Sequence, residues 1–160
     1  MFFRGSSFLI GSLRKIILLG AGFPSGGVGC VFCPMGGVPS ETAVHMFLSC
    51  LSSFLVWYQV ARWLGWELVM PVGLAQQFEA FTGLGRAKRT RLGLLLVWYA
   101  VIWTIWASRN DLIFVGGLLR EEPVVDKVKL LAWKWFLVKY PASSCSLYEW
   151  EGQPVLRWNQ

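Results

Sequence analysis

Histidine occurs once in this chain, at position 45, and aspartate only twice, as Asp111 and Asp126. No two aspartates adjoin, so polymerase chemistry, which needs several carboxylates around paired metal ions, has no ligand set. A nucleophile activated by histidine would have to claim His45 for itself. Charge is scarce as well. Only 15% of the 160 residues are Asp, Glu, Lys or Arg, and none lies between Arg91 and Arg109. There is no internal repeat. This inventory points away from an enzyme.

Apolar and aromatic side chains are what the chain has in excess. It is 55% hydrophobic and carries ten tryptophans, more than an average soluble domain of one core would use. Such a composition implies an aromatic core, an apolar face kept for a partner, or contact with lipid. The net charge of +6 permits attraction to phosphates or to an anionic membrane. Arg86, Lys88, Arg89 and Arg91 form the one dense basic cluster. A solvated basic loop is the plain alternative to a phosphate-binding patch there, and tryptophan at helical spacing is ordinarily core.

Three of the four cysteines stand close to the single histidine, in the order Cys30, Cys33, His45 and Cys50. The pattern C-x2-C-x11-H-x4-C has the spacing of a tetrahedral zinc site, with a Cys-x-x-Cys knuckle and a second segment that completes the ligands. With four N and S donors such a site is closed and structural, which makes Zn2+ the expected cofactor. Glu41, one helical turn before His45, is the only candidate for a base beside an open site and reads more simply as a surface acid. Thiol ligands of this kind suit a reducing compartment, and a nuclear or cytoplasmic location follows. The apolar run Ile16–Ala21 begins late and is short for the core of a signal peptide.

The segment Gly20–Gly37 is rich in Gly and Pro and reads as loop and knuckle. Ser40 can cap a helix that carries His45. Because His45 and Cys50 are five residues apart, about 140° on an ideal helix, that helix should end or distort near Ser49 and Cys50 for both to face one metal. A helix follows to Gly65, then a shorter one over Leu74–Thr82 between Pro71-Val-Gly73 and the Gly83 and Gly85 loop that leads into the basic cluster. Leu92–Trp106 is apolar all round, so it is buried in protein or spans a membrane, and its length lies at the lower limit of a span. An interruption is expected over Asn110–Gly117. Glu121-Glu122-Pro123 reads as the start of a last long helix, Val124–Tyr140, that Pro141 ends. The tail, with Cys145, Tyr148, Trp150 and Trp158, reads as irregular or briefly extended. Divided this way, the chain comprises a lead-in (1–29), a zinc-binding module (30–66), a linker with a short helix and basic loop (67–91), a helical hairpin (92–140) and a tail (141–160).

Cys30-x2-Cys33, Glu41-x3-His45-x4-Cys50, Val56-Trp57 and Trp63-Leu-Gly65-Trp66 together resemble the reverse transcriptase zinc-binding domain of plant LINE-type retrotransposon polyproteins. Farther along, Trp103-x2-Trp106-x2-Arg109-Asn110 and Trp133-Lys-Trp135 resemble landmarks downstream in the same polyproteins. Leu51 stands where that family commonly has proline, and the polymerase domain is absent. The resemblance implies a noncatalytic C-terminal fragment with structural zinc, associated with nucleic acid within a retroelement ribonucleoprotein.

The fold class expected is therefore mainly α, a small zinc knuckle followed by a compact bundle of apolar, Trp-rich helices. Metal ligands are Cys30, Cys33, His45 and Cys50. RNA or DNA would be held without sequence preference through Arg86, Lys88, Arg89 and Arg91, and other retroelement proteins are candidate partners. Two further readings stand beside this one: a small membrane-associated protein anchored by residues 92–107, and a retroelement relic with no selected function.

Overall fold

The structure, a computed structural model, describes residues 42–115 and 121–158. Within them the chain forms a π-helical turn, His45–Ser49, and six α-helices: α1 Leu51–Leu64, α2 Leu74–Gly83, α3 Lys88–Val115, α4 Glu121–Lys139, α5 Leu147–Gly152 and α6 Pro154–Arg157. The described residues include no strand. Mainly α architecture and a Trp-rich bundle are what forms. The lead-in and the Cys30-to-Gly37 segment lie outside the described residues.

Each helix boundary has a local cause. α1 buries Ser53, Val56, Trp57, Val60, Ala61 and Leu64, the three-and-four spacing that puts one stripe against the core. It ends at Gly65, whose φ of 76° is left-handed; the amide of Gly65 donates to the Arg62 carbonyl and that of Trp66 to Ala61. This is a Schellman closure, and it needs a residue that tolerates positive φ. α2 starts after the Pro71-Val-Gly73 break, as the sequence predicts. At its other end α4 gives out before Pro141, because proline disfavours helical geometry in the residue before it.

Three boundaries differ from expectation. α3 starts at Lys88, inside the expected basic loop. α3 continues through Asn110 and Asp111 to Val115, since neither residue is a strong enough breaker to stop a helix already formed. The tail is helical instead of extended. Ser146 accepts from the Glu149 amide through its hydroxyl while the Glu149 carboxylate accepts from the Ser146 amide, a capping box that starts α5.

The core is organised around α3. Leu94, Leu96, Val97, Trp98, Ala100, Val101, Ile102 and Ile105 are all buried, and α4 offers Val124, Val125, Val128, Ala132 and Phe136 in return. The two helices run antiparallel, with Arg89 at the start of one beside Lys139 and Tyr140 at the end of the other. α2 crosses α3, where Phe78 meets Trp98 edge-on at 5.0 Å and the Trp98 indole donates to the buried Gln77 side chain. Trp150 links the tail to the bundle through Phe136 at 5.2 Å, Trp158 at 5.7 Å and Trp63 at 6.3 Å.

Gly93 is the one glycine inside α3 that packing explains. A methyl group built there would lie 2.4 Å from the Trp158 ring. In an exposed helix, Gly→Ala would stabilise by about 1 kcal/mol. Here Gly93→Ala should instead destabilise by about 1–3 kcal/mol, the usual result of overpacking a filled core. Urea denaturation of the two proteins measures the sign, and a gain in stability would show that Trp158 does not rest on Gly93.

Candidate functional site

The expected metal centre falls at the π-helical turn. Here the break expected near Ser49 and Cys50 is present: the turn ends at Ser49, and Cys50 has extended backbone, φ −64° and ψ 135°. A helix end leaves carbonyls without partners, and this one is closed by the next helix. The Cys50 amide donates to His45 O at 2.8 Å, the Ser53 hydroxyl to Met46 O, and the Trp57 indole to Phe47 O at 2.7 Å. Met46, Phe47 and Leu48 are buried beneath, and Cys50 is wholly buried with them.

This arrangement corrects the zinc expectation. Among the described residues no three His, Cys, Asp or Glu side chains gather where a metal ion could be held. His45 and Cys50 supply two donors, short of the four that structural zinc takes. Cys145, the other described cysteine, is buried far along the chain, where its carbonyl accepts from the Trp133 indole at 3.0 Å. Cys30, Cys33 and Glu41 lie outside the described residues. The zinc knuckle, the Zn2+ cofactor and the function built on them are not what these residues form. In their place is a small, mostly helical domain with one long apolar helix, in which Cys50 packs as a small apolar side chain.

The basic cluster is split by the fold. Arg86 is exposed in the loop before α3, while Lys88, Arg89 and Arg91 belong to its first turns and not to a loop. Lys88 and Arg91 are exposed. Arg89 is half-buried, its guanidinium 4.4 Å from the Tyr140 ring centroid and 6.0 Å from that of Phe136. Its Nε is buried and has no hydrogen-bond partner. No acid occupies the first turn of α3. Cations there face the positive end of the helix dipole, an arrangement that disfavours the helix by a few tenths of a kcal/mol per charge unless an anion is near.

Beside Arg89 the fold adds groups the sequence reading did not single out. Lys139 and Tyr140 at the end of α4, with Ser143 and Ser144 after it, line a cavity of about 440 Å³ together with Arg89 and Glu149. The signal was present in the expected 92–140 hairpin, since an antiparallel pair brings its first and last residues to one end.

No family model, curated protein or solved structure matches this chain. The zinc-binding and retrotransposon description is thus without a matching family, and the metal ligands on which it rested are not assembled among the described residues.

The Trp57 bond to Phe47 gives a direct test of how the π-helical turn is held. Trp57→Phe keeps the ring packing against Phe81 but leaves a buried carbonyl unpaired, which should cost about 1–3 kcal/mol. Denaturant midpoints report it, and hydrogen exchange should show the loss concentrated at residues 46–57.

Proposed function

We propose that this is a small membrane-associated protein, anchored by residues 92–107 of α3. The observation that carries the reading is the make-up of this one helix. Lys88–Phe114 is long and apolar enough to cross a membrane by length and composition, and its stretch from 92 to 108 holds no charge. Two thirds of its most apolar window is buried inside the protein. The helix therefore meets lipid along its uncovered side, lying in the interface, while its other sides stay in the core.

That side has a composition suited to the role. Leu92, Leu95, Trp103, Trp106 and Phe114 fall within an arc of about 100° on an ideal helix, and Lys88 continues it. The Trp103 and Trp106 rings lie 5.2 Å apart, both partly exposed, and Phe114 is 81% exposed. Indole rings favour the headgroup level, where one edge is apolar and the other wet. Arg86, Lys88 and Arg91 extend the face with charge that suits anionic headgroups.

Flotation of the full chain with phosphatidylcholine vesicles, with and without phosphatidylserine, tests this. Binding is expected to the anionic vesicles and to fall with salt. Each cation contributes about 1 kcal/mol at such a surface, so changing Arg86, Lys88 and Arg91 together to Gln should weaken binding about a hundredfold. Trp103→Ser with Trp106→Ser should weaken it at low and high salt alike. Failure to float with either vesicle overturns the reading. So does salt-dependent binding to single-stranded RNA or DNA without vesicle binding, which would assign the cations to nucleic acid instead.

A further inference from the structure

We infer that the cavity between the start of α3 and the end of α4 is a binding site for a phosphate monoester. This goes beyond membrane association and stands on a different part of the molecule, the cavity itself. Its volume, about 440 Å³, admits a phosphate group with a small organic moiety attached.

The lining has the chemistry for such an anion. Arg89 brings a planar fork that can hold two oxygens, and Lys139 brings a point charge for a third. The hydroxyls of Ser143 and Ser144 add neutral donors. A monoester presents three terminal oxygens to this set, whereas a diester presents two. Arg89 is fixed in advance by the Tyr140 ring, 4.4 Å from its guanidinium. One carboxylate, Glu149, also lines the cavity. Its Oε2 accepts from the amide and the hydroxyl of Ser146, each at 3.0 Å, which draws its charge toward the α5 cap. Two cations against one carboxylate leave the cavity positive. An anion there would also offset the unfavourable run of cations in the first turn of α3.

The test is a calorimetric titration of the full chain with glycerol 3-phosphate and with inorganic phosphate. Saturable binding at millimolar concentration or below is expected, weakened by about tenfold or more in Arg89→Gln and in Lys139→Gln, as loss of a charged hydrogen bond requires. Lys134→Gln, the same change of charge at an exposed site on α4, should bind as the parent does. Because Lys139 is exposed, its variant keeps the fold even if Arg89→Gln does not. Vesicles of phosphatidylcholine with phosphatidic acid, compared with vesicles carrying phosphatidylserine at equal surface charge, separate a lipid headgroup from a soluble source. A preference for phosphatidic acid that Lys139→Gln abolishes supports the lipid source, and calorimetric binding without that preference supports the soluble one. Absence of saturable binding by both soluble probes together with no preference for phosphatidic acid, or equal weakening in all three variants, overturns the proposal.

Discussion

The constraint on which the rest of this fold depends is the cost of leaving the middle of α3 in water. No charged side chain interrupts it from Leu92 to Ser108, and most of its residues are buried. At about 25 cal/mol for each Å² of apolar surface covered, a helix apolar on nearly every side draws neighbours from every direction. α4 answers with a ridge of Val128, Ala132 and Phe136, α2 with Phe78, and the tail with Trp158 over Gly93. What remains uncovered is a single face, and that face is as apolar as the buried ones.

Tryptophan does two jobs in this arrangement. Its ring area fills the spaces between helices that cross at different angles, and its N–H fixes particular neighbours. Trp57 reaches the π-helical turn, Trp98 reaches Gln77, Trp63 reaches Glu151 and Trp133 reaches Cys145. The Trp57 and Trp98 bonds satisfy polar atoms that burial would otherwise leave unpaired, so placement is specified by more than the greasiness of the core.

The helices were legible because their punctuation is strong. Pro71 to Gly73, Gly65 and Pro141 are each placed where backbone geometry permits little else, and the spacing along α1 points to one buried stripe. The interruption expected at Asn110 is not there because the preference of Asn and Asp against helices is weak, and a helix already formed extends at the gain of one bond per residue. The capping box of Ser146 and Glu149 stands in the sequence, but the tail lacks a long apolar repeat to announce a helix. The metal site is the larger correction. Spacing can propose four ligands, but only the fold can bring them together, and within the described residues Cys50 and His45 serve to close a helix end. The cavity lining is legible only in outline: the expected hairpin brings its two ends together, but which side chains, Arg89 and Lys139 among them, face one space is set by the packing of α3 on α4.

The Trp63 bond to the Glu151 carbonyl joins residues 88 positions apart. Helices form locally within about a microsecond, whereas a contact across so long a loop must first overcome the entropy of closing it. Once that entropy is overcome the tail is a clasp: through Trp150 and the Glu151 carbonyl it holds α1 and α4 to each other, so that loss of the tail would uncover Trp63 and Phe136 together.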